Sequence, residues 1–112
     1  MVEHGIFTRS RVGAERIIDE YKKRDEDAGL KIIRHRKGCD NIELITENTI
    51  YTWVNPNPHS RGAVPRFHKI DIDSTLGKDV IENDILPKFQ GSELDIRYYD
   101  VLRLFYDMET LV

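Results

Sequence analysis

Residues Phe67 to Phe89 read FHKIDIDSTLGKDVIENDILPKF, and the rest of the chain is organised around them. Ile70 and Ile72 alternate with Asp71 and Asp73 in a short β-branched run, which reads as a strand entering a core. Ser74 and Thr75 follow as N-cap residues, and Val80, Ile81, Ile85 and Leu86 then fall at helical spacing before Pro87. A strand, a short turn and a helix deliver an aspartate to the carboxyl end of the strand, where open α/β sheets present groups to ligands. The stretch therefore predicts an α/β or α+β domain with a candidate metal or phosphate site.

Working outward, Ile17, Ile18 and Tyr21 begin an apolar face and Gly29 is a stop signal, which predicts a helix over 13–28. Ile6 and Phe7 end a very short strand ahead of it. Leu30 to Ile33 reads as a strand that runs into the basic cluster Arg34, His35, Arg36 and Lys37 and turns at Gly38. Ile42 to Ile45 and Thr49 to Val54 read as two strands of a hairpin over 42–54, joined through Glu47 and Asn48. Residues 55–66, NPNPHSRGAVPR, hold three of the four prolines and read as a long irregular loop. After a break at Gly91 and Ser92, the residues Leu94, Tyr98, Val101, Leu102 and Phe105 share a helix face, which predicts a helix over 93–107. A strand at Asp95 to Tyr99 is the rival reading. The tail 109–112 reads as frayed. The expectation is one small domain, 1–112, of about four short strands and three helices (13–28, 78–89 and 93–107).

Composition sets the outer bounds. At 112 residues the chain has room for one core and not two. A hydrophobic share of 39% against 33% charged residues describes a soluble protein with a modest core. No apolar run approaches the roughly 20 residues that span a bilayer, and MVEHGIFTRS carries no signal-peptide pattern. The single cysteine, Cys39, can close neither an internal disulfide nor a cysteine metal site. A cytoplasmic protein with no membrane partner is the reading that follows. The net charge of −3 divides into +2 over residues 1–68 and −5 over residues 69–112. Such an acidic half reads first as a solvated surface, and otherwise as one that meets a basic partner.

Three groups of residues are candidates for function. Asp71 and Asp73 lie two apart on a strand and share a face, so with Glu82 or Asp84 they suit magnesium or manganese. The competing reading is a half-exposed strand whose aspartates face water, which strict alternation favours. Lys31, Arg34, Arg36 and Lys37 form the strongest basic cluster. With Arg9, Arg11, Arg16, Arg61 and Arg66 they would make a phosphate-binding surface for nucleic acid, against which the net acidic charge weighs. Tyr51 and Trp53 share a strand face and, with Arg61, offer a surface for a protein partner or a platform for a base; the alternative is that the pair is core. His4, His35, His59 and His68 show no ligand spacing for zinc. Cys39 with His35 lacks an orienting residue and an oxyanion loop.

The order of elements resembles the ATPase part of phage large terminases, and short phage proteins built on the same P-loop pattern. Ser10, Arg11, Val12 and Gly13 match the start of that family's Walker A loop, SRQxGK[ST]. Asp73, in KIDIDS, stands at the Walker B aspartate, and Arg61-Gly62 matches an Arg-Gly ahead of that strand. The likeness covers residues 7–90. It departs where the chemistry lies: Ala14 and Glu15 replace the phosphate-clamping lysine and the magnesium-binding hydroxyl, and Ser74 replaces the water-orienting glutamate. The resemblance thus implies a phage-encoded, P-loop-like scaffold with degenerate Walker motifs and no ATPase activity. The expectation is a non-enzymatic protein, with no catalytic residue and no cofactor, that binds a macromolecule, a protein before a nucleic acid, and is a candidate homo-oligomer. The alternatives are a magnesium-dependent nuclease or NTPase using Asp71 and Asp73, and a nucleic-acid module using the cluster 31–37.

Overall fold

The strand β1, Val2–Phe7, is the axis of the molecule. In this computed structural model, which describes residues 1–54 and 67–99, β1 lies between two parallel neighbours. These are β4, Thr49–Val54, and β5, Lys69–Asp73. Outside β4 come β3, Asn41–Thr46, and β2, Ile32–Lys37, as an antiparallel meander; outside β5 comes β6, Ile96–Tyr99, again parallel. The six-stranded mixed sheet has the order β2-β3-β4-β1-β5-β6. The expected loop over 55–66, with His59, Arg61 and Arg66, lies outside the described residues, as does everything beyond Tyr99.

Helix α1, Arg11–Asp27, covers one face. Ser10 caps it, its hydroxyl accepting from Gly13 N at 3.2 Å, which starts the helix two residues before the sequence suggested. Gly29 ends it with φ +84°, the left-handed geometry that only glycine adopts without strain. Ala14, Ile17, Ile18 and Tyr21 pack onto Ile6, Ile42, Leu44, Tyr51 and Trp53. The other face carries a second helical stretch. α2, Lys78–Val80, runs on as a π turn at Ile81–Ile85 and a 3-10 turn at Leu86–Lys88, where Pro87 ends it. Ile85 is buried there with Phe67, Ile70 and Ile72, whereas Val80 is exposed and Ile81 and Leu86 are half-buried. Phe67 sits against the backbone of Gly5, where a Cβ would lie 2.7 Å from its ring.

Three expectations change. The sheet has six strands rather than four. Residues 93–99 form a 3-10 turn, Glu93–Asp95, and then β6, so the strand reading replaces the helix over its described part. The basic cluster lies within β2 rather than after it, because the edge strand begins at Ile32 and runs to Lys37. The result is a small α+β domain with helices on both faces of a mixed sheet. No described helix is long and apolar enough to cross a membrane.

Candidate functional site

A central strand covered on both faces must bury whatever it carries. On β5 this includes both aspartates: Asp71 and Asp73 are 1% and 2% exposed, which overturns the reading that they face water. They share the α1 face, as the alternation predicts, but engage separate partners. Asp73 closes the turn at the carboxyl edge. Its Oδ1 accepts from Thr75 N and Thr75 Oγ1 at 2.9 and 2.8 Å, and its Oδ2 accepts from Arg9 N at 3.3 Å. The Arg9 guanidinium donates to the Thr75 carbonyl at 2.6 Å. Between β1 and α1 the turn is only Thr8, Arg9 and Ser10; Ala14 behind it is buried in the core, and Glu15 pairs with Arg11 at 3.2 Å.

Asp71 looks the other way along the sheet. Its Oδ2 accepts from His4 Nε2 at 2.8 Å and from the Tyr21 hydroxyl at 2.7 Å, all three groups being buried. Tyr21 stacks on Tyr51 with ring centroids 4.7 Å apart, and His4 lies 4.8 and 5.1 Å from the two rings. The Tyr51 hydroxyl donates to Asp25 Oδ2 at 2.8 Å and accepts from Arg24 at 3.2 Å, while the Arg24 guanidinium sits 4.7 Å above the Tyr21 ring. One hydrogen-bonded and stacked assembly thus joins β1, α1, β4 and β5.

Beside this assembly opens a cavity of about 390 Å³. Its walls come from the first residues of each parallel strand: Val2 and His4 of β1, Thr49 and Tyr51 of β4, and Lys69 and Asp71 of β5. The last turns of α1 add Tyr21, Arg24 and Asp25, the approach to β6 adds Leu94 and Asp95, and β6 itself adds Arg97. The cavity therefore lies at the amino-terminal edge of the strands, opposite the carboxyl edge where the strand–turn–helix pattern pointed. A volume of this size suits a small ligand.

Charge in the cavity is partitioned. Burial first, then the Asp71 carboxylate, pushes the Tyr21 phenol far above its ordinary value, so its hydroxyl remains a donor. Burial and the hydrogen bond to Asp25 push Tyr51 up to about 12. Burial and Asp71 likewise raise Tyr99. Each carboxylate already has donors: Asp71 has His4 and Tyr21, Asp25 has Tyr51 and Arg24, and Asp95 accepts from Ser92 N and Ser92 Oγ at 3.1 Å each. Lys69 and Arg97 are in no ion pair among the described residues; Arg97 lies over the Tyr99 ring at 5.0 Å.

Of the residues proposed for function in the sequence, the structure brings Asp71 and Tyr51 to this cavity. Glu82 and Asp84 belong to the helical stretch on the opposite side of the sheet from Asp71 and Asp73. Among the described residues no group of three or more His, Cys, Asp or Glu side chains is placed to hold a metal ion. The Tyr51 and Trp53 rings, expected as a partner surface, are 1% and 2% exposed and form core beneath α1, because β4 is an interior strand. Lys31, Arg34, Arg36 and Lys37 are exposed along β2, away from the cavity. The sequence reading missed His4, Arg24, Asp25, Lys69 and Arg97. A signal was present in Asp25, which stands one helical turn after Tyr21 on the buried face of α1.

No protein-family model, no curated protein and no solved structure matches this chain.

Proposed function

We propose that this chain is a binding domain for a small anion bearing a phosphate or carboxylate group, held in the cavity at the amino-terminal edge of the sheet. One observation carries the reading: the carboxylates in the cavity are already hydrogen-bonded within the protein, and the cations Lys69 and Arg97 are in no ion pair among the described residues. The three cations of the lining, Arg24, Lys69 and Arg97, equal its three carboxylates, Asp25, Asp71 and Asp95. A ligand entering there meets no net charge but two local cations, Lys69 and Arg97, beside two stacked tyrosine rings, and a planar arginine favours oxyanions with two acceptor oxygens. Binding rather than turnover is the reading, because Asp71 bonds Tyr21 and His4, and Tyr51 bonds Asp25 and Arg24. This keeps the expectation of a non-enzymatic binding protein and moves its ligand from a macromolecule to a small molecule. The P-loop resemblance adds nothing to it, since Ala14, Glu15 and Ser74 supply neither clamp nor water-orienting group.

The test is a titration of the protein with inorganic phosphate, acetate and citrate, followed by backbone amide NMR shifts. Saturable shifts at His4, Thr49, Lys69 and Arg97, lost in the Lys69→Ala/Arg97→Ala double variant, are expected. Shifts that map elsewhere, or that survive the double substitution, refute the assignment.

A further inference from the structure

The basic cluster of β2 takes no part in the cavity, and its placement gives it a use of its own. β2 is an edge of the sheet, so one side of its backbone is unpaired. Lys31, Arg34, Arg36 and Lys37 are all exposed along it. None of the four is in an ion pair among the described residues. The seven residues from Lys31, just before β2, to Lys37 at its end reach about 20 Å, so four cations are strung along the edge.

Register sets how they project. Arg34 stands opposite Ile45 and Arg36 opposite Glu43, on the sheet face away from α1, while His35 and Lys37 stand opposite the buried Leu44 and Ile42 on the α1 side. The pairing shifts between Ile32 and Arg34, and this irregularity turns Ile33 outward, 62% exposed. Acidic groups are close by: Glu43 faces Arg36, and Glu47 accepts from Lys31 N at 2.9 Å. They leave a surplus of positive charge. His35 Nδ1 lies 3.4 Å from Lys22 Nζ, and burial together with Lys22 and Lys37 lowers that imidazole's pKa. At the far end Arg11 reaches across to donate to the carbonyls of Gly38 and Cys39, which ties the strand's exit to α1.

We infer that the β2 edge is a docking surface for the phosphodiester backbone of a nucleic acid, contacted by Lys31, Arg34, Arg36 and Lys37. The partner is argued from charge complementarity. A protein of net charge −3 repels a polyanion at a distance, so only a local line of unmatched cations can hold one. An extended edge strand, unlike a protruding helix, follows a backbone rather than entering a groove, and no Phe, Tyr or Trp lies among the four cations to stack on a base, while His35 between them points to the α1 side. Binding should therefore be sequence-tolerant and dominated by salt.

The experiment is fluorescence anisotropy with a labelled single-stranded oligonucleotide and its duplex, each over a salt series, on the whole chain. Four phosphate contacts give a slope of log K against log salt of about −3 for a single strand and about −3.6 for a duplex, from about 0.7 and 0.9 per contact. Arg34→Ala/Arg36→Ala should halve the slope and weaken binding at least tenfold at low salt. Lys78→Ala/Lys88→Ala, which makes the same change of net charge on the other side of the sheet, should leave it unchanged. Binding to either form with these slopes supports the inference, and the form bound more tightly at equal salt identifies the strandedness. No binding at low salt, a slope near zero, or equal loss in both double variants overturns it. Because none of these residues lines the cavity, the outcome is independent of the anion titration.

Discussion

The buried Asp71 makes Tyr21→Phe the most telling single substitution. The change deletes one oxygen and keeps the ring, so the stack on Tyr51 and the contact with His4 persist. What is lost is the 2.7 Å donation to Asp71 Oδ2, at a carboxylate 1% exposed to solvent. A hydrogen bond to a charged group contributes about 1.5–3 kcal/mol, and the acceptor left behind retains His4 as its donor. For a chain of 112 residues the entropy of unfolding near the midpoint is about 0.23 kcal/mol/K, so the melting temperature should fall by about 6–13 °C. Tyr51→Phe is the internal comparison. Its hydroxyl bonds Asp25 at 2.8 Å, but Asp25 retains the exposed Arg24, so the loss should be about 1 kcal/mol. Thermal and urea unfolding of the two variants read this directly. If Tyr21→Phe falls within about 0.5 kcal/mol of the parent, or loses less than Tyr51→Phe, the phenol is not what keeps Asp71 satisfied.

Two further perturbations follow from packing and titration. Gly5→Ala should destabilise by about 1–3 kcal/mol, because its Cβ would lie 2.7 Å from a Phe67 ring that is itself held edge-on to Phe7, and Phe67→Leu in the same chain should recover part of the loss; unfolding midpoints unchanged by Gly5→Ala would show that the ring moves freely. His35 binds its proton less readily in the native state than in the unfolded chain, whose value is about 6.5, so its contribution is present above that pH and is lost as pH falls through the lower native value. His35→Gln should therefore flatten the decline in melting temperature below about pH 6.5, and parallel curves for the two proteins would contradict this origin.

Much of the architecture was legible because it is local. Ile17, Ile18, Tyr21 and Gly29 announce α1 by period and stop signal, and the β3–β4 hairpin is written in two alternating runs around Glu47 and Asn48. β1 was not legible at its full length. VEHGIF mixes a charge, a histidine and a glycine, and each is explained only by a distant partner: His4 by Asp71, Gly5 by Phe67, and Glu3 by the His68 side chain that accepts its N–H. β6 was misread because Leu94 and Tyr98, four residues apart, mimic a helix face while sitting 96% and 57% exposed. The aspartates of β5 obey alternation, yet alternation cannot tell water from a second buried layer. The cavity is the extreme case. Its assembly draws on positions 4, 21, 25, 51 and 71, which no window of sequence brings together.

The central place of β1 also bears on the order in which the chain gains structure. His4 pairs with Tyr51 and with Lys69, 47 and 65 residues further along, whereas β2, β3 and β4 are joined by connections of two or three residues. Closing the long loops costs entropy before any contact repays it, so the meander and α1 should assemble early and the axis of the sheet late. During synthesis β1 emerges ahead of both partners, and one of its edges stays open until Val54, the other until Asp73, has left the ribosome. A six-residue strand in that state is a template for wrong pairing. The charges of Glu3 and the break at Gly5 make its sequence a poor aggregation segment over that interval. The same residues that hide β1 from a sequence reading thus guard it while it has no partner.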